Sequence, residues 1–242
     1  MRTIALVPAR LESTRLEKKL LRLISDTPLV VLTARNLLNS KLFNEVCVVT
    51  DSDEIIEVLK KYSIKFFKSS KHYETGTDRI SEFVNNFNCD IIINVQGDEP
   101  FINKSDLNLI IQHFKKDYKN EIEAISLKTR IKNDIEINNP NNVKVITDNN
   151  SNAICFSRMP LPYNRSGNDI KYYKHIGIYA FRKKALHKFS KLKKSKLEKA
   201  EMIEAMRFVE NEMKIKILEV KNNYVGIDTI EDLIKARKMF ND

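Results

Sequence analysis

Apolar residues along the chain gather into short unbroken runs, separated by stretches with helical spacing. Residues 3–8, "TIALVP", read as a first strand that ends at Pro8-Ala9-Arg10. Residues 28–40 read as a helix with Pro28 near its start. "EVCVVT" (45–50) is a second strand, and Asp51-Ser52-Asp53 supplies the cap of the helix that follows. "IKFFK" (64–68) is a third strand, and "GTDRISEFVNNF" (76–87) a helix with Thr77 or Asp78 near its start. "DIIINV" (90–95) is a fourth strand, whose continuous isoleucine run is the pattern of a strand covered on both faces. "NKSDLNLIIQHF" (103–114) then turns helical behind a capping candidate.

Strand and helix alternate through this half, which predicts a parallel sheet with right-handed crossovers. Ligands of such sheets bind beyond the carboxyl ends of the strands. "PARLESTR" and "NVQGDEPF" are both ends of that kind. The second half changes character. "EAISLKTR", "NVKVITD", "AICFSR" and "YKHIGIYAF" are strand-like and separated by turns such as Asp148-Asn149-Asn150. A helix near 197–210, a strand at 214–220 and a closing helix at 229–240 complete the pattern. The expected fold class is α/β, a mostly parallel sheet flanked by helices, with a smaller β-rich lobe in the second half. The expected organisation is one domain over 1–242, with a β-rich insertion at roughly 130–185.

Composition narrows the class. The chain has 242 residues, 42% hydrophobic and 31% charged, which suits a folded soluble protein with a sizeable core. No apolar run approaches the roughly 20 residues of a membrane span, and the N-terminus lacks the long apolar region of a signal peptide. A cytoplasmic protein with no membrane insertion is expected. Cys47, Cys89 and Cys155 have no metal spacing and read as reduced thiols. The net charge of +10 is concentrated in "RKKALHKFSKLKKSKLEK" (182–199), with nine Lys/Arg and one Glu. That segment reads first as a solvated helix and loop, and second as a phosphate-binding stripe. Phe189 is its one aromatic, too few for base stacking, so nucleic acid is not the expected partner.

Four stretches carry chemistry. "PARLESTRLEKK" (8–19) places Arg10, Arg15 and Lys19 beside the hydroxyls of Ser13 and Thr14, after the first strand, where a triphosphate would lie. It is neither a Walker loop nor a Gly-x-Gly-x-x-Gly turn. "TGTDR" (75–79) offers Gly76 for close approach and Arg79 on a first helical turn. "NVQGDEPF" (94–101) ends a core strand in an amide, Gln96, and two carboxylates, Asp98 and Glu99. Asp98 there suits Mg²⁺, which takes oxygen ligands and bridges to phosphate, although an ordinary turn has the same residues. In "GIDTIEDL" (226–233), Asp228 is either a second carboxylate for that ion or a helix N-cap, with Glu231 completing the capping box.

"PARLESTRLEKK", "TGTDRISE", "NVQGDEPF", "NPNNVKVI", "FSRMPLPYNR", "YKHIGIYAFR", "EMIEAMR" and "GIDTIEDL" follow one another over nearly the whole chain. In that order they resemble the 3-deoxy-manno-octulosonate (KDO) cytidylyltransferases. The resemblance implies a nucleotidyltransferase-type α/β fold, a homodimer, and transfer of CMP from CTP to an acidic 2-keto sugar with Mg²⁺, for lipopolysaccharide. It implies catalytic roles for Lys19, Asp98, Asp228 and Arg15, with Asp98 and Asp228 as metal ligands. It places Arg10, Ser13, Gly76, Arg79 and Gln96 on the nucleotide, though Gln96 also matches a sugar-side position. Arg158, His175, Tyr179 and Glu204 fall on the sugar acid, and the 130–185 insertion takes on sugar binding and dimerisation. For His175 the spacing alone favours a satisfied core histidine. Four residues, at three places, depart from the family pattern. Glu17-Lys18 replaces the usual Pro-Gly before the loop lysine, Ala205 replaces a glutamine after Glu204, and Ile230 replaces a proline. Ala205 leaves another acidic sugar, an amino-KDO or a sialic-type acid, as the alternative substrate. A basic nucleic-acid-binding protein is the alternative from a different class.

Overall fold

The computed structural model describes residues 1–222, 224 and 226–241. The chain divides into two compact units, one of residues 1–111 with 224–242 and one of residues 112–223.

In the first unit the central strand is β1 (Thr3–Ala9), all of whose residues are buried. A short antiparallel pair, β2 (Leu23–Ile24) with β3 (Thr27–Pro28), leads into α1 (Leu29–Ser40). Then come β4 (Glu45–Thr50), α2 (Asp53–Lys61), β5 (Phe66–Lys68), α3 (Gly76–Ser81), β6 (Ile91–Asn94) and α4 (Lys104–Lys116). The strands lie in the order β6-β1-β4-β5, all parallel, with Leu6 opposite both Cys47 and Asn94. The polypeptide therefore leaves β1 and β6 at the same edge. Full burial of Ile91, Ile92 and Ile93 is what an inner strand requires.

The second unit is rich in β structure. It contains β7 (Ala124–Arg130), α5 (Asp134–Asn138), β8 (Lys144–Thr147), β9 (Ala153–Ser157) and β10 (Tyr173–Arg182). These are followed by α6 (Lys183–Ser190), α7 (Lys196–Glu201), α8 (Met206–Glu210) and β11 (Ile215–Val220). β11 pairs parallel with β7, while β7–β10, β10–β8 and β8–β9 are antiparallel. The closing helix α9 (Ile230–Asn241) returns to the first unit. The α/β class, the parallel first sheet and the β-rich second half agree with the sequence pattern.

Three expectations are corrected. The helix at 76–87 is only α3 plus a single 3-10 turn at Val84–Asn86. Phe83 and Phe87 pack on Phe67 of β5, with ring centroids 5.0 and 5.4 Å away, and this draws the chain out of helical register. The helix at 197–210 is two helices, broken where Met202 turns left-handed with φ 53°. The strand at 64–68 begins only at Phe66.

Candidate active site

A cleft of about 280 Å³ opens at the carboxyl edge of the first unit's sheet. Arg10, Ser13, Arg15, Lys19, Gly76, Arg79, Gln96, Asp98 and Asp228 all line it. The nine residues placed on the nucleotide, metal and catalytic side are thus brought together.

Its centre is a lysine between two carboxylates. Lys19 Nζ donates to Asp98 Oδ2 and to Asp228 Oδ1, the latter at 2.7 Å. Arg15 Nη2 reaches the other oxygen of Asp228 at 3.0 Å. The side chain of Lys19 is 12% exposed, against 25% for Asp98 and 40% for Asp228. Burial alone would pull the Lys19 ammonium down, but the two carboxylates outweigh it and hold its pKa raised. Burial likewise pushes Asp228 up, yet Lys19 and then Arg15 bring it below the ordinary carboxylate range. Both acids therefore face cations at neutral pH.

Local structure explains how each group gets there. Lys19 opens a 3-10 turn, anchored by buried Leu20. Lys18 adopts φ 48°, a left-handed conformation that costs a non-glycine residue roughly 1–2 kcal/mol. Its Nζ pairs with Glu54 at 2.7 Å. Helix α1 holds the loop after β6: Thr33 Oγ1 donates to the Gly97 carbonyl at 2.9 Å and Asn36 Nδ2 to that of Pro100 at 2.8 Å. The Ile227 N–H donates to the Asp98 carbonyl at 3.0 Å. A Cβ on Gly226 would come within 2.9 Å of Glu99 Oε1, so the segment that delivers Asp228 passes close to the Glu99 carboxylate.

Asp228 is not the cap of α9. Thr229 Oγ1 accepts from the Asp232 N–H at 3.2 Å, and Asp232 Oδ2 accepts from the Thr229 N–H at 3.0 Å. The reciprocal pair is one residue later than the Asp228–Glu231 pair considered from sequence, and it leaves the Asp228 carboxylate to the cleft.

Arg79, 2% exposed, ion-pairs through Nη1 with Asp51 Oδ1 at 2.6 Å. Burial pushes Asp51 up, but hydrogen bonding and charge from Arg79 leave its carboxyl lowered. Ser52, not Asp51, caps α2, accepting from the Ile55 N–H. Sequence reasoning assigned Asp51 only to the cap. A contact between residues so far apart has no local signal, although an acid at a parallel strand's carboxyl end was one available clue.

The four sugar-side residues lie in the second unit. Arg158 donates from Nε to the Glu201 carbonyl at 2.7 Å and from Nη1 to that of Pro140 at 2.9 Å. His175 Nε2 lies 2.8 Å from Ser126 Oγ, and burial pushes the imidazole down to about 3, so it is neutral. Its ring meets Phe156 edge-on and lies 5.4 Å from the Tyr179 ring. Tyr179 is held neutral by burial and by the charges of Glu204 and Glu198. Ala205 is fully buried. A separate cleft of about 520 Å³ in this unit, which Arg130, Asp134 and Tyr172 help to line, contains none of the predicted residues.

Asp98 and Asp228 offer an oxygen-only donor set already arranged around a positive charge. Among the described residues no group of three or more His, Cys, Asp or Glu side chains can hold a metal. Two carboxylates without nitrogen or sulfur suit a hard cation of the Mg²⁺ class, which completes its sphere with water and substrate phosphate.

The family described as cytidylyltransferase matches residues 4–215. The 3-deoxy-manno-octulosonate cytidylyltransferase of Christiangramia forsetii is 45% identical over 99% of this chain and 97% of its own length. That of Flavobacterium johnsoniae is 43% identical over the full length of both. Among solved structures, a CMP:2-keto-3-deoxy-manno-octonic acid synthetase complexed with CTP superposes with a TM-score of 0.92. It is 32% identical, and the match covers 100% of this chain and 99% of the other.

Proposed function

The chain belongs to the cytidylyltransferase family, in its 3-deoxy-manno-octulosonate branch, and on that premise we propose that it transfers CMP from CTP to the anomeric 2-hydroxyl of KDO. The products are CMP-KDO and pyrophosphate, and the pathway served is lipopolysaccharide biosynthesis. The observation that carries the reading is the Lys19–Asp98–Asp228 cluster in a cleft lined by the cationic loop that follows β1.

In the reaction a bond forms between the sugar's 2-oxygen and the α-phosphorus, and the bond from that phosphorus to the bridging oxygen breaks. The hydroxyl proton is lost and pyrophosphate departs. Such chemistry depends on positioning and charge balance more than on covalent help. Asp98 and Asp228 are the residues that would hold Mg²⁺, which when bound supplies Lewis-acid polarisation of phosphate oxygen. Lys19 stays charged, and together with Arg15 it balances the negative charge that builds on the leaving pyrophosphate. Arg10, Ser13, Gly76, Arg79 and Gln96 bind the nucleotide. Asp51 ion-pairs with Arg79 and orients its guanidinium.

Arg158 takes the carboxylate of the sugar acid, for which a planar fork is suited. Glu204, Tyr179 and His175 complete the sugar side. His175 acts there as a neutral group fixed by Ser126, not as a proton carrier. The protein works in the cytoplasm as a homodimer, one α/β nucleotidyltransferase domain whose β-rich insertion at roughly 130–185 serves sugar binding and dimerisation. Among the described residues no helix is long and apolar enough to cross a membrane.

The test is pyrophosphate release from CTP, UTP, ATP and GTP with KDO, amino-KDO and a sialic acid, with the product identified by mass. Release confined to CTP with KDO supports the reading. Equal release from all four nucleotides, or preference for another acid, contradicts it.

A further inference from the structure

Lys144 is a costly residue where it stands. It lies in β8, opposite Ser157 of β9 and Lys174 of β10, and is 0% exposed. Burying an ammonium is unfavourable unless it is well bonded, and an apolar side chain would serve a plain sheet position better. Burial pulls its pKa down, and the charge of Arg158 pulls it further, with Glu201 only partly offsetting both. The chain tolerates a buried cation beside another cation, so the position does something that packing alone does not explain.

Its hydrogen bonds show what that is. Lys144 Nζ donates to the carbonyl of Asn139 at 3.1 Å and to the carbonyl of Arg158. The Arg158 side chain ties the same segments from the other direction, with Nη1 on the Pro140 carbonyl at 2.9 Å and Nε on the Glu201 carbonyl at 2.7 Å. Its Nη2 reaches the Met202 carbonyl at 3.4 Å. The Glu201 carboxylate closes the arrangement, accepting from Ser157 Oγ at 2.6 Å and from the Arg158 N–H at 3.0 Å. Three of the five guanidinium N–H groups are thus engaged by described residues, which leaves one on each terminal nitrogen. A carboxylate takes an N–H from each of the two terminal nitrogens when they lie side by side.

We infer that Lys144 is a positioning residue for the acidic group of the substrate: by drawing the Asn139 and Arg158 carbonyls together it sets the frame from which the two spare Arg158 N–H groups project. The inference rests on the reading that Arg158 receives the sugar carboxylate. Lys144 touches no substrate and acts only through Arg158. Its removal therefore loosens sugar binding and leaves the nucleotide side as it was.

The test compares Lys144→Met, which fills the space without donors, with wild type. Arg158→Lys and the double variant Lys144→Met with Arg158→Lys are measured beside them. Lys144→Met is expected to raise KM for the sugar acid about tenfold, with KM for CTP and kcat within about twofold of wild type. The double variant is expected to be no worse than Arg158→Lys alone, as two residues acting through one contact are non-additive. An unchanged sugar KM in Lys144→Met while Arg158→Lys raises it overturns the inference and spares the Arg158 reading. No effect of Arg158→Lys overturns that reading instead. An equal rise in KM for CTP also overturns the inference. Should Lys144→Met not fold, Glu201→Gln weakens the same frame from its other side. It is expected to show the same split, and a wild-type sugar KM there counts against the proposal.

Discussion

The N–H of Ile227 donates to the carbonyl of Asp98 at 3.0 Å, and this bond joins the tip of β6 to the residue before Asp228. Two carboxylates far apart in sequence are thereby placed on one lysine. A buried isoleucine strand that ends in "QGDEP" makes physical sense in this light. The strand supplies rigidity, and its tip supplies charge to a second segment held beside it.

Capping and chemistry are separated by one residue at the start of α9, so substitutions should separate them too. Asp232→Ala removes the cap and is expected to cost about 1 kcal/mol of stability, with turnover reduced less than about tenfold. Asp228→Asn leaves the cap intact and keeps the shape of the side chain while removing its charge, and turnover is expected to fall about 10²-fold. Thermal unfolding and steady-state rates on both variants check this. A near-normal rate for Asp228→Asn would return that residue to a structural role.

Gly76 meets Gln96 closely. A Cβ there would lie 2.8 Å from Gln96 Nε2 and 2.9 Å from Pro8 Cγ. Overpacking of this kind costs roughly 1–3 kcal/mol, so Gly76→Ala is expected to raise KM for CTP about tenfold. Added to Gln96→Ala, the same substitution is expected to do less than it does alone, because the Gln96 contact has gone while that with Pro8 remains. Fully additive effects in the double variant would show that displacement of Gln96 is not what raises KM.

His175 gives a pH signature of stability. Its ring is enclosed by Ser126, Phe156 and Tyr179, and its pKa is pushed to about 3. The unfolded chain takes up the proton near 6.5 while the folded chain refuses it, so stability falls as pH drops from about 6.5 toward 3. The slope from this one group approaches about 1.4 kcal/mol per pH unit. His175→Gln should remove that slope. Denaturant midpoints for wild type and variant that run parallel between pH 6.5 and 4 would show that the histidine is not buried neutral.

Much of this arrangement was legible in the sequence because it depends on local pattern. The runs at 3–8, 45–50 and 90–95 have unbroken apolar centres, and β1, β4 and β6 follow them. The loop cations and Asp98 were visible because they follow such runs. What escaped notice depends on tertiary contact. Phe83 and Phe87 shorten α3 by packing on Phe67, a contact that periodicity does not register. Glu201 reaches across to Ser157 and Arg158 next to the left-handed Met202 that divides the 197–210 helix. The β2–β3 pair is two residues per strand, too short for any pattern. Thr229 and Asp232 were readable as a capping pair, but Asp228 is as good a capping residue and stands one position earlier. Only coordinates separate them.

The central claim is that Asp98 and Asp228 act as one ligand set for a divalent cation at the reacting phosphate. Its most direct measurement is Mn²⁺ binding, by electron paramagnetic resonance, in the presence of a non-hydrolysable CTP analogue. Wild type, Asp98→Asn, Asp228→Asn and the double variant are compared. Each single variant is expected to weaken Mn²⁺ binding about 10²-fold or more, with the double variant little worse than either, because the two residues act as a unit. Wild-type Mn²⁺ affinity in either single variant, or fully additive losses in the double, would contradict the account.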